Sequence, residues 1–488
     1  MIIVKLNEAN FEYDIYSLVK AFYPREEIQV ISEEYDGLEQ ISFCLVVKYT
    51  PKRIFISLEE DTDKKEYQVD IDYGDRKDTK NRLKKLIYEI LKEKTNRTLP
   101  WGTLTGIRPT KIPLNMLEQQ KSRDEIFSYM KETYDISEEK AELSYQVAKT
   151  EYDLLAPIDY ENGYSLYVGI PFCPSTCLYC SFTSYPVGVW KDKMDDYLDA
   201  LFREIDFVAE AMAHRRLHTI YIGGGTPTSL SARQLDRLFT KLEQSLPVEQ
   251  VLEFTVESGR PDSITREKLQ VIHNHGIKRI SINPQTMNQK TLDLIGRHHR
   301  VEQIRESFAM AREVGIETIN MDLIVGLPGE TLSDVKYTLE EVKKLNPDNL
   351  TVHSLALKRS ARLNIQWDKY QGYQMENSEA HMELAKEVAE SMDMHPYYLY
   401  RQKNMAGNLE NIGFAKEGKE GLYNILIMEE KQTIIALGAG AACKYVSDHG
   451  ATVTRSENVK DVGLYMERID EMIERKRGKI YESENKRS

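Results

Sequence analysis

The sequence has 488 residues, of which 41% are hydrophobic and 29% charged, and its formal net charge is −13. A chain of this length can bury more than one hydrophobic core, whereas its acidic balance excludes the basic surface that tracks nucleic-acid phosphates. No apolar run is long enough to cross a bilayer, and the first residues lack the apolar segment of a secretory signal. We therefore expect a cytoplasmic protein with no membrane span and no nucleic-acid partner.

The first third of the chain predicts both strands and helices. The segments ISFCLVVKY, RIFISLEE and EYQVDIDYG are rich in β-branched and aromatic residues and predict strands. The segment DTKNRLKKLIYEILKEKT has helical periodicity. We therefore expect an N-terminal α+β domain over residues 1–155.

Three of the five cysteines, Cys173, Cys177 and Cys180, fall within eight positions of the segment GIPFCPSTCLYCSF. Thiols stay reduced in the cytoplasm, so these residues are better interpreted as metal ligands or catalytic groups than as disulfide partners. A structural zinc site usually takes four ligands in two Cys or His pairs, and a second pair is missing here. The other two cysteines, Cys44 and Cys443, lie in apolar surroundings and are predicted to be buried packing residues.

A [4Fe–4S] cluster matches three thiolates, because its fourth iron then stays open for a ligand that is not protein. The spacing C-x3-C-x2-C, in one loop after a strand-like segment, resembles the pattern of radical S-adenosylmethionine (SAM) enzymes. That resemblance implies a [4Fe–4S] cluster and SAM as cofactors.

Strand-like and helical segments alternate from the cysteine segment onward. Six strand-like segments are separated by helical ones, and they are SLYVGI, HTIYIGG, VLEFTVE, IKRISIN, IETINMDLIVG and NLTVHSL. Helical crossovers force consecutive strands to run parallel. We therefore predict an α/β fold, a partial (β/α)6 TIM-like barrel as in radical SAM enzymes, over residues 156–360. A C-terminal α+β extension is predicted over residues 361–488.

Glycine and polar residues gather at the carboxyl ends of these predicted strands, where barrel enzymes carry their chemistry. The run Gly223, Gly224 and Gly225 would let the backbone approach a ligand closely, although such a run can also be a simple tight turn. Polar side chains recur at the following barrel mouths, and they are Glu257, Gln285, Arg297 and Asp322. Each of them could be a solvated surface residue, but their recurrence favours a binding site.

From about residue 164 to residue 444 the sequence resembles the oxygen-independent coproporphyrinogen III oxidase (dehydrogenase) family. The resemblance rests on IPFC at the cysteine loop, GGGTPT, the strand RISIN that leads to a glutamine, and DLIVGLPGET. The N-terminal extension and the segment YRQKNMAGNLENIGFAK resemble the HemZ branch of that family. The likeness therefore covers essentially the whole chain.

The resemblance implies which residues hold the cofactors. Cys173, Cys177 and Cys180 correspond to the cluster ligands. The positions implied to hold SAM are Tyr167, Gly223, Gly224, Gly225, Thr226, Glu257, Gln285, Arg297, Asp322 and Ala356. Among these, Glu257, Gln285 and Arg297 are expected to hold the ribose and the carboxylate of the SAM that binds the cluster.

The resemblance also implies a reaction, the oxidative decarboxylation of coproporphyrinogen III propionates to vinyl groups, which yields protoporphyrinogen IX in heme biosynthesis. Such an enzyme needs a tetrapyrrole substrate and an electron donor such as a flavodoxin or ferredoxin. Basic residues would hold the carboxylates. Lys358, Arg359 and Arg401 are candidates, although they could equally form a solvated basic rim.

Two positions depart from the dehydrogenase pattern. Phe182 stands where dehydrogenases usually have a further cysteine, and Gly169 stands where they often have a histidine. Two alternatives therefore stay open, another radical SAM reaction on a tetrapyrrole, such as methyl transfer or ring opening, and a heme-binding or trafficking protein. The second is less favoured, because GLYNILIMEE replaces the HN-x-x-YW heme motif of the chaperone branch.

Overall fold

The computed structural model describes residues 1–32, 41–106, 108–182, 184–402, 409–447 and 450–485. The chain divides into two compact units. The first is Met1–Lys149 with a short segment that begins at Arg401, and the second is Thr150–Tyr400 with Leu409–Ser488. Within the described part of the chain, no helix combines the length and apolar character needed to cross a membrane.

The first unit is an α+β fold around a five-stranded sheet. Its strands are β1 (Ile2–Leu6), β2 (Ile28–Ile31), β3 (Phe43–Tyr49), β4 (Arg53–Glu60) and β5 (Asp63–Asp70). Its helices are α1 (Glu12–Phe22), α2 (Arg76–Thr95), α3 (Lys111–Glu118), α4 (Arg123–Tyr134) and α5 (Glu138–Leu155), the last of which continues into the second unit. The strand order is β2-β1-β3-β4-β5, with β1 parallel to both of its neighbours. The structure confirms the three predicted strands and the predicted helix as β3, β4, β5 and α2.

The second unit contains thirteen strands among its described residues. They are β6 (Gly163–Ile170), β7 (Phe172–Cys173), β8 (Tyr185–Pro186), β9 (Arg216–Gly224), β10 (Glu253–Gly259), β11 (Arg279–Ile282), β12 (Thr318–Val325), β13 (Asn349–Ser354), β14 (Met394–Tyr400), β15 (Asn411–Lys416), β16 (Thr433–Leu437), β17 (Ala442–Ser447) and β18 (Thr452–Glu457). The short β7 and β8 pair with each other, and the other eleven strands form one sheet.

Helices cross between these strands. They are α6 (Val187–Trp190), α7 (Met194–Ala211), α8 (Ala232–Ser245), α9 (Arg266–Asn274), α10 (Gln289–Leu294), α11 (Val301–Val314), α12 (Leu332–Leu345), α13 (Arg362–Ile365), α14 (Trp367–Tyr370), α15 (Glu379–Glu390), α16 (Leu422–Glu429), α17 (Val462–Glu467) and α18 (Ile469–Asn485). Short 3-10 turns occupy Lys191–Lys193, Pro227–Ser229, Val248–Gln250 and Pro261–Ser263. The side chain of Ser231 caps α8 in a capping box with Gln234, as its position before the helical run indicates.

The large sheet has the order β14-β15-β13-β12-β11-β10-β9-β6-β16-β17-β18. Its central six strands, β6 and β9 to β13, are all parallel and follow chain order. β6 and β11 are almost entirely buried, as expected for strands covered on both faces. The structure therefore confirms the predicted partial barrel of six β/α units.

The C-terminal segment extends the same sheet. β15 adds antiparallel to β13 at one end, and β16 adds parallel to β6 at the other. The extension therefore belongs to the same compact unit as the barrel, and the boundaries 1–155, 156–360 and 361–488 stay predictions. Cys443 is buried as predicted, whereas Cys44 is only half-buried.

A buried ion pair joins the last helix, α18, to helix α7. The ammonium of Lys476 in α18 lies 2.6 Å from Glu204 of α7, and the two side chains are 1% and 0% exposed. The remaining carboxylate contacts are made by Asn458, Tyr465 and the amide of Gly438, at 2.6–2.8 Å. Because every oxygen of the carboxylate accepts hydrogen bonds, the buried charge is fully compensated.

We expect Lys476→Met to lower the free energy of unfolding by about 3–5 kcal/mol, because Glu204 would be left as a buried charge without its cation. Urea denaturation followed by circular dichroism measures the change. Lys386→Met is the matched control, because its ion pair with Glu390 is exposed, and its effect should stay within about 0.5 kcal/mol. Equal stability of the Lys476→Met variant and the parent would contradict the expectation.

Candidate active site

The three clustered cysteines lie on one loop at the carboxyl end of β6. Cys173 ends β7, and the amide of Cys180 donates to the carbonyl of Cys177 at 3.3 Å. Between them, the amide of Leu178 donates to the carbonyl of Ile295 at 2.9 Å, and both side chains belong to one apolar cluster. The loop is therefore anchored at its middle, while the thiols flank the anchor.

The guanidinium of Arg260, which follows β10, holds the same loop. Its Nη1 donates to the carbonyl and the hydroxyl of Ser175 at 3.0 and 2.8 Å, and it lies 3.8 Å from the sulfur of Cys177. Asp262 receives the other two donors at 3.0 and 2.6 Å. Although burial alone would raise it, the paired guanidinium holds the pKa of Asp262 below its usual value. A buried positive charge therefore lies beside the sulfur of Cys177.

Burial holds two of the three thiols in the protonated state. Burial raises the pKa of Cys173 and raises the pKa of Cys180 to about 11, so neither is a thiolate at neutral pH unless a cation binds it. Among the described residues, no three His, Cys, Asp or Glu side chains converge closely enough for a metal ion. A single ion requires such convergence, whereas a four-iron cluster offers separate corners that take one thiolate each. The donor set fits a cluster better than zinc.

The glycine run at the end of β9 brings the backbone close to the cysteine loop. A Cβ on Gly225 would lie 3.0 Å from the sulfur of Cys173 and 2.7 Å from the carbonyl oxygen of Phe172. Gly224 has a φ of 110°, a conformation that side chains disfavour. The hydroxyl of Thr226 lies 3.4 Å from the same sulfur. Only glycine at position 225 leaves room for the loop at this point.

Two carboxyl groups, Glu257 of β10 and Asp322 of β12, influence each other electrostatically across the intervening strand β11. Burial, reinforced by the charge of Asp322, raises the pKa of Glu257 to about 8. Burial alone would also raise the pKa of Asp322, but hydrogen bonds from His353 and Asn320 hold it below its usual value. The two carboxyls are therefore driven into different protonation states at neutral pH.

Arg297 and Gln285 complete this edge of the sheet. Arg297 is 3% exposed, and its Nε and Nη1 have no hydrogen-bond partner among the described residues. Such buried donors are costly unless a ligand satisfies them. Gln285 has a φ of 69°, and its backbone amide donates to the backbone carbonyl of Asp322 at 2.9 Å. A strained backbone of this kind is typical of functional sites.

Tyr167 of β6 stacks within a group of tyrosines. Its ring centroid lies 6.2 Å from that of Tyr221 and 6.5 Å from that of Tyr423, and the last two are 4.6 Å apart. Burial raises the pKa of all three phenols, which therefore stay neutral. They form an uncharged aromatic wall beside Glu257.

The segment after β13 carries three more of the predicted positions. Ala356 and Lys358 are partly exposed, and Arg359 is exposed in a turn. Burial lowers the pKa of Lys358. The substrate role of Arg359 stays a prediction.

Arg401 belongs to the first compact unit. Its Nη1 donates to the carbonyl of Leu104 at 2.6 Å, and its guanidinium lies 5.4 Å from the centre of the Trp101 ring. These contacts give Arg401 a packing function in its own unit, and its substrate role stays a prediction.

The structure moves one predicted strand end. Glu257 lies two residues before the end of β10, because that strand continues as far as Gly259. Gly223 and Gly224 are the last two residues of β9 and Asp322 lies within β12, as the predicted strands HTIYIGG and IETINMDLIVG indicate.

Arg260 and His299 were missed by the sequence reasoning. His299 is 1% exposed, neither ring nitrogen has a hydrogen-bond partner among the described residues, and burial, with the charge of Arg297, lowers its pKa to about 4. The paired sequence Arg-Pro-Asp after β10 is a signal that could have suggested the ion pair of Arg260 with Asp262.

Comparison with known proteins identifies the barrel. The model of the radical SAM superfamily matches residues 167–342. The coproporphyrinogen III oxidase HemN from Escherichia coli, a radical SAM enzyme, has a solved structure that covers 66% of this chain and 72% of its own, with 25% identity and a TM-score of 0.52. The fold is therefore that of radical SAM proteins, whose cofactors are a [4Fe–4S] cluster and SAM.

Two curated relatives extend the match beyond the barrel. The heme chaperone HemW of Bacillus subtilis is 34% identical over 63% of this chain and 76% of its own length. The oxygen-independent coproporphyrinogen-III oxidase-like protein HemZ of Bacillus subtilis is 40% identical over 404 residues, which are 82% of this chain and 81% of that protein. The chain therefore belongs to the HemZ family of radical SAM proteins.

Proposed function

We propose that this protein is a radical SAM enzyme that oxidatively decarboxylates propionates of coproporphyrinogen III to vinyl groups without oxygen. Cys173, Cys177 and Cys180 hold the [4Fe–4S] cluster in this proposal. SAM is held by Tyr167, Gly223, Gly224, Gly225, Thr226, Glu257, Gln285, Arg297, Asp322 and Ala356. When bound, cluster and SAM together supply a radical that removes a hydrogen atom from an unactivated carbon.

One observation carries the cofactor part of the proposal. The donors Nε and Nη1 of Arg297 are buried and have no hydrogen-bond partner in the part of the chain that the structure describes, and its charge acts on both Glu257 and Cys180. A cation in this place suits the carboxylate of an amino acid, while the neighbouring carboxyl suits ribose hydroxyls. SAM carries both groups, so one ligand would satisfy the arginine and the glutamate.

The residues around this ligand have distinct tasks. Arg297 would bind and orient the carboxylate of SAM, and Glu257 would accept hydrogen bonds from its ribose. Arg260 keeps Cys177 in place through Ser175, as the distances of 2.8–3.8 Å indicate. The aromatic wall at Tyr167 makes one side of the site uncharged.

The substrate part of the proposal rests on family membership. The solved HemN is a coproporphyrinogen III oxidase, and a fold alone does not fix a substrate. Arg359 and Arg401 are proposed as cations for the propionates. A reductant such as a flavodoxin or ferredoxin would supply the electron that cleaves SAM. After the hydrogen atom is removed, the substrate would lose carbon dioxide and pass one electron to an electron acceptor. The cytoplasm is the proposed compartment.

A second candidate is a heme-handling function. It is favoured by the 34% identity to a heme chaperone and by Phe182, which replaces the further cysteine of the dehydrogenases and is 76% exposed. Another radical SAM reaction on a tetrapyrrole is the third candidate, because the same site would serve it.

Replacing Cys173, Cys177 or Cys180 by Ala should each abolish SAM cleavage, because the cluster would lose one of its three protein ligands. Iron and acid-labile sulfide per chain, measured after anaerobic reconstitution, should fall together. Cys44→Ala is the control, since this half-buried cysteine lies in the first compact unit. Stoichiometric zinc without iron in the reconstituted parent would contradict the proposal.

Glu257→Gln should weaken SAM binding by about 1.5–3 kcal/mol at pH 9, the range of charge-assisted hydrogen bonds. Because the pKa of Glu257 is about 8, its carboxyl is protonated at lower pH and becomes the stronger acceptor as the pH rises. SAM affinity of the parent should therefore increase through about pH 8. Equilibrium dialysis measures both effects.

The Glu257→Gln variant should show no such rise of SAM affinity with pH. Glu267→Gln, at an exposed position of α9, controls for the loss of one negative charge. A parent whose SAM affinity does not change between pH 6.5 and pH 9.5, on either side of that pKa, would contradict the assignment of Glu257.

Anaerobic incubation with SAM, a reductant and coproporphyrinogen III should yield 5′-deoxyadenosine and a porphyrin that has lost one carbon dioxide for each new vinyl group. Mass analysis of porphyrins and nucleosides measures both products. If the cysteine replaced by Phe182 is required, 5′-deoxyadenosine will form without any vinyl product. That result, under conditions in which a known dehydrogenase is active, would favour another tetrapyrrole reaction.

A further inference from the structure

A cavity of about 370 Å³ opens beside the cysteine loop, on the side where β16 joins the barrel. Its apolar wall includes Phe182, Tyr423, Ile427 and Ile434. It reaches Tyr167 and Gly224, which the proposed function assigns to SAM, but the charged SAM residues do not line it. The cavity thus adjoins the SAM site without sharing its ionic contacts.

The wall formed by residues 438–442 is rigid. The amide of Gly438 donates to the buried Glu204 at 2.8 Å, and Asn458 donates to the carbonyl of the same glycine at 2.8 Å. The amide of Ala439 donates to the hydroxyl of Tyr197 at 3.1 Å. The buried ion pair of α7 and α18 therefore anchors this wall through Gly438. Small-molecule sites are usually preformed in this way.

Two lysines contribute charge to the cavity, and they differ in whether that charge is paired. Lys444 lies 3.1 Å from Glu430, so its charge is already paired. Lys460 is exposed, and its ammonium has no ion pair or hydrogen bond to any residue that the structure describes. The carbonyl of Lys460 accepts a hydrogen bond from Tyr185 at 3.1 Å. The free ammonium is thus carried by a backbone that is tied to the strand pair enclosing the cysteine loop.

Phe182 adds the second unusual feature. It is 76% exposed, and it lies two residues after Cys180, so an apolar ring is presented to solvent next to the proposed cluster. An exposed apolar surface at the edge of a cavity marks a place that a ligand covers. The ligand must therefore be largely apolar and also anionic, to match Phe182 and Lys460 together.

We propose that this cavity binds one pyrrole ring of the tetrapyrrole with its propionate. The ring covers Phe182 and packs against Ile427, and the propionate pairs with Lys460. This inference rests on the proposed function, which it deepens by assigning the substrate to a wall built by the C-terminal strands. A cavity of this volume accepts one ring and its side chains, while the rest of the macrocycle lies outside it.

The test uses the full chain after anaerobic reconstitution, with coproporphyrin III as the first probe and hemin as the second. Fluorescence anisotropy for the porphyrin and absorption changes for hemin report dissociation constants. Lys460→Met should weaken coproporphyrin III binding by about three- to tenfold, the effect of losing one partly exposed charge pair. Ala442→Trp, at an exposed residue that lines the cavity, should weaken it further by filling the space.

Lys343→Met is the matched control, because this exposed lysine lies in α12 and does not line the cavity. Unchanged coproporphyrin III binding in both Lys460→Met and Ala442→Trp would overturn the inference. An equal loss of SAM affinity in Lys460→Met would also overturn it, since the cavity would then belong to SAM.

The two proposals can fail separately. Lys460-dependent binding without any vinyl product would support the cavity assignment and refute the proposed reaction. Formation of the vinyl product, together with coproporphyrin III binding that neither substitution changes, would support the proposed reaction and refute the cavity assignment. Lys460-dependent binding of hemin alone would support the cavity as a tetrapyrrole site and favour heme handling over decarboxylation.

Discussion

The hydrogen bonds from Arg260 to the cysteine loop are the constraint on which the rest of the site depends. A loop with three thiols has no regular structure to fix it, yet a cluster requires all three sulfurs to be presented in one direction. The bonds to Ser175, 85 residues away in the chain, fix the loop to the end of β10. Because the guanidinium is buried and charge-paired with Asp262, it can stay beside Cys177 without being solvated, and its charge opposes the build-up of negative charge that three thiolates create.

Positive and negative groups occupy different positions at the same edge of the sheet: the cation follows α10, and the two carboxyl groups lie on β10 and β12. Arg297 contributes an unsatisfied cation, whereas Glu257 and Asp322 contribute carboxyls with pKa values shifted in opposite directions. A zwitterionic ligand that also carries hydroxyl groups complements this distribution, since each of its ends meets a group of suitable charge. The stacked tyrosines at Tyr167 keep the far side of the site uncharged.

The parallel core could be predicted from sequence because its signals are local. Each of the six strands is a short run of β-branched residues between helical segments, and the three cysteines are evident from their spacing alone. The hydrogen bonds from Arg260 to Ser175 could not be predicted, because the two residues are 85 positions apart and come together only in the folded chain. The position of β16 beside β6 is equally non-local: the segment Thr433–Leu437 is apolar enough for a strand, but nothing in it indicates which neighbour it will pair with. The predicted strand VLEFTVE stops two residues short of the end of β10, whereas IETINMDLIVG covers β12 to its end.

Two different parts of the chain build the two halves of the site, and this division explains why cofactor and substrate are specified so differently. All the residues assigned to SAM except Ala356 lie within residues 167–342, the region that radical SAM proteins share. One wall of the neighbouring cavity comes from residues around Tyr423, β16 and Lys460, beyond that region, and the rest of its lining includes Phe182 and Gly224 within it. A substitution near Tyr423, in β16 or at Lys460 would change the shape and charge of the cavity next to the proposed cluster. It would leave the hydrogen bonds between Arg260 and Ser175 in place. The reaction can therefore differ among relatives with the same barrel, and Phe182 lies at the boundary where such a difference would act.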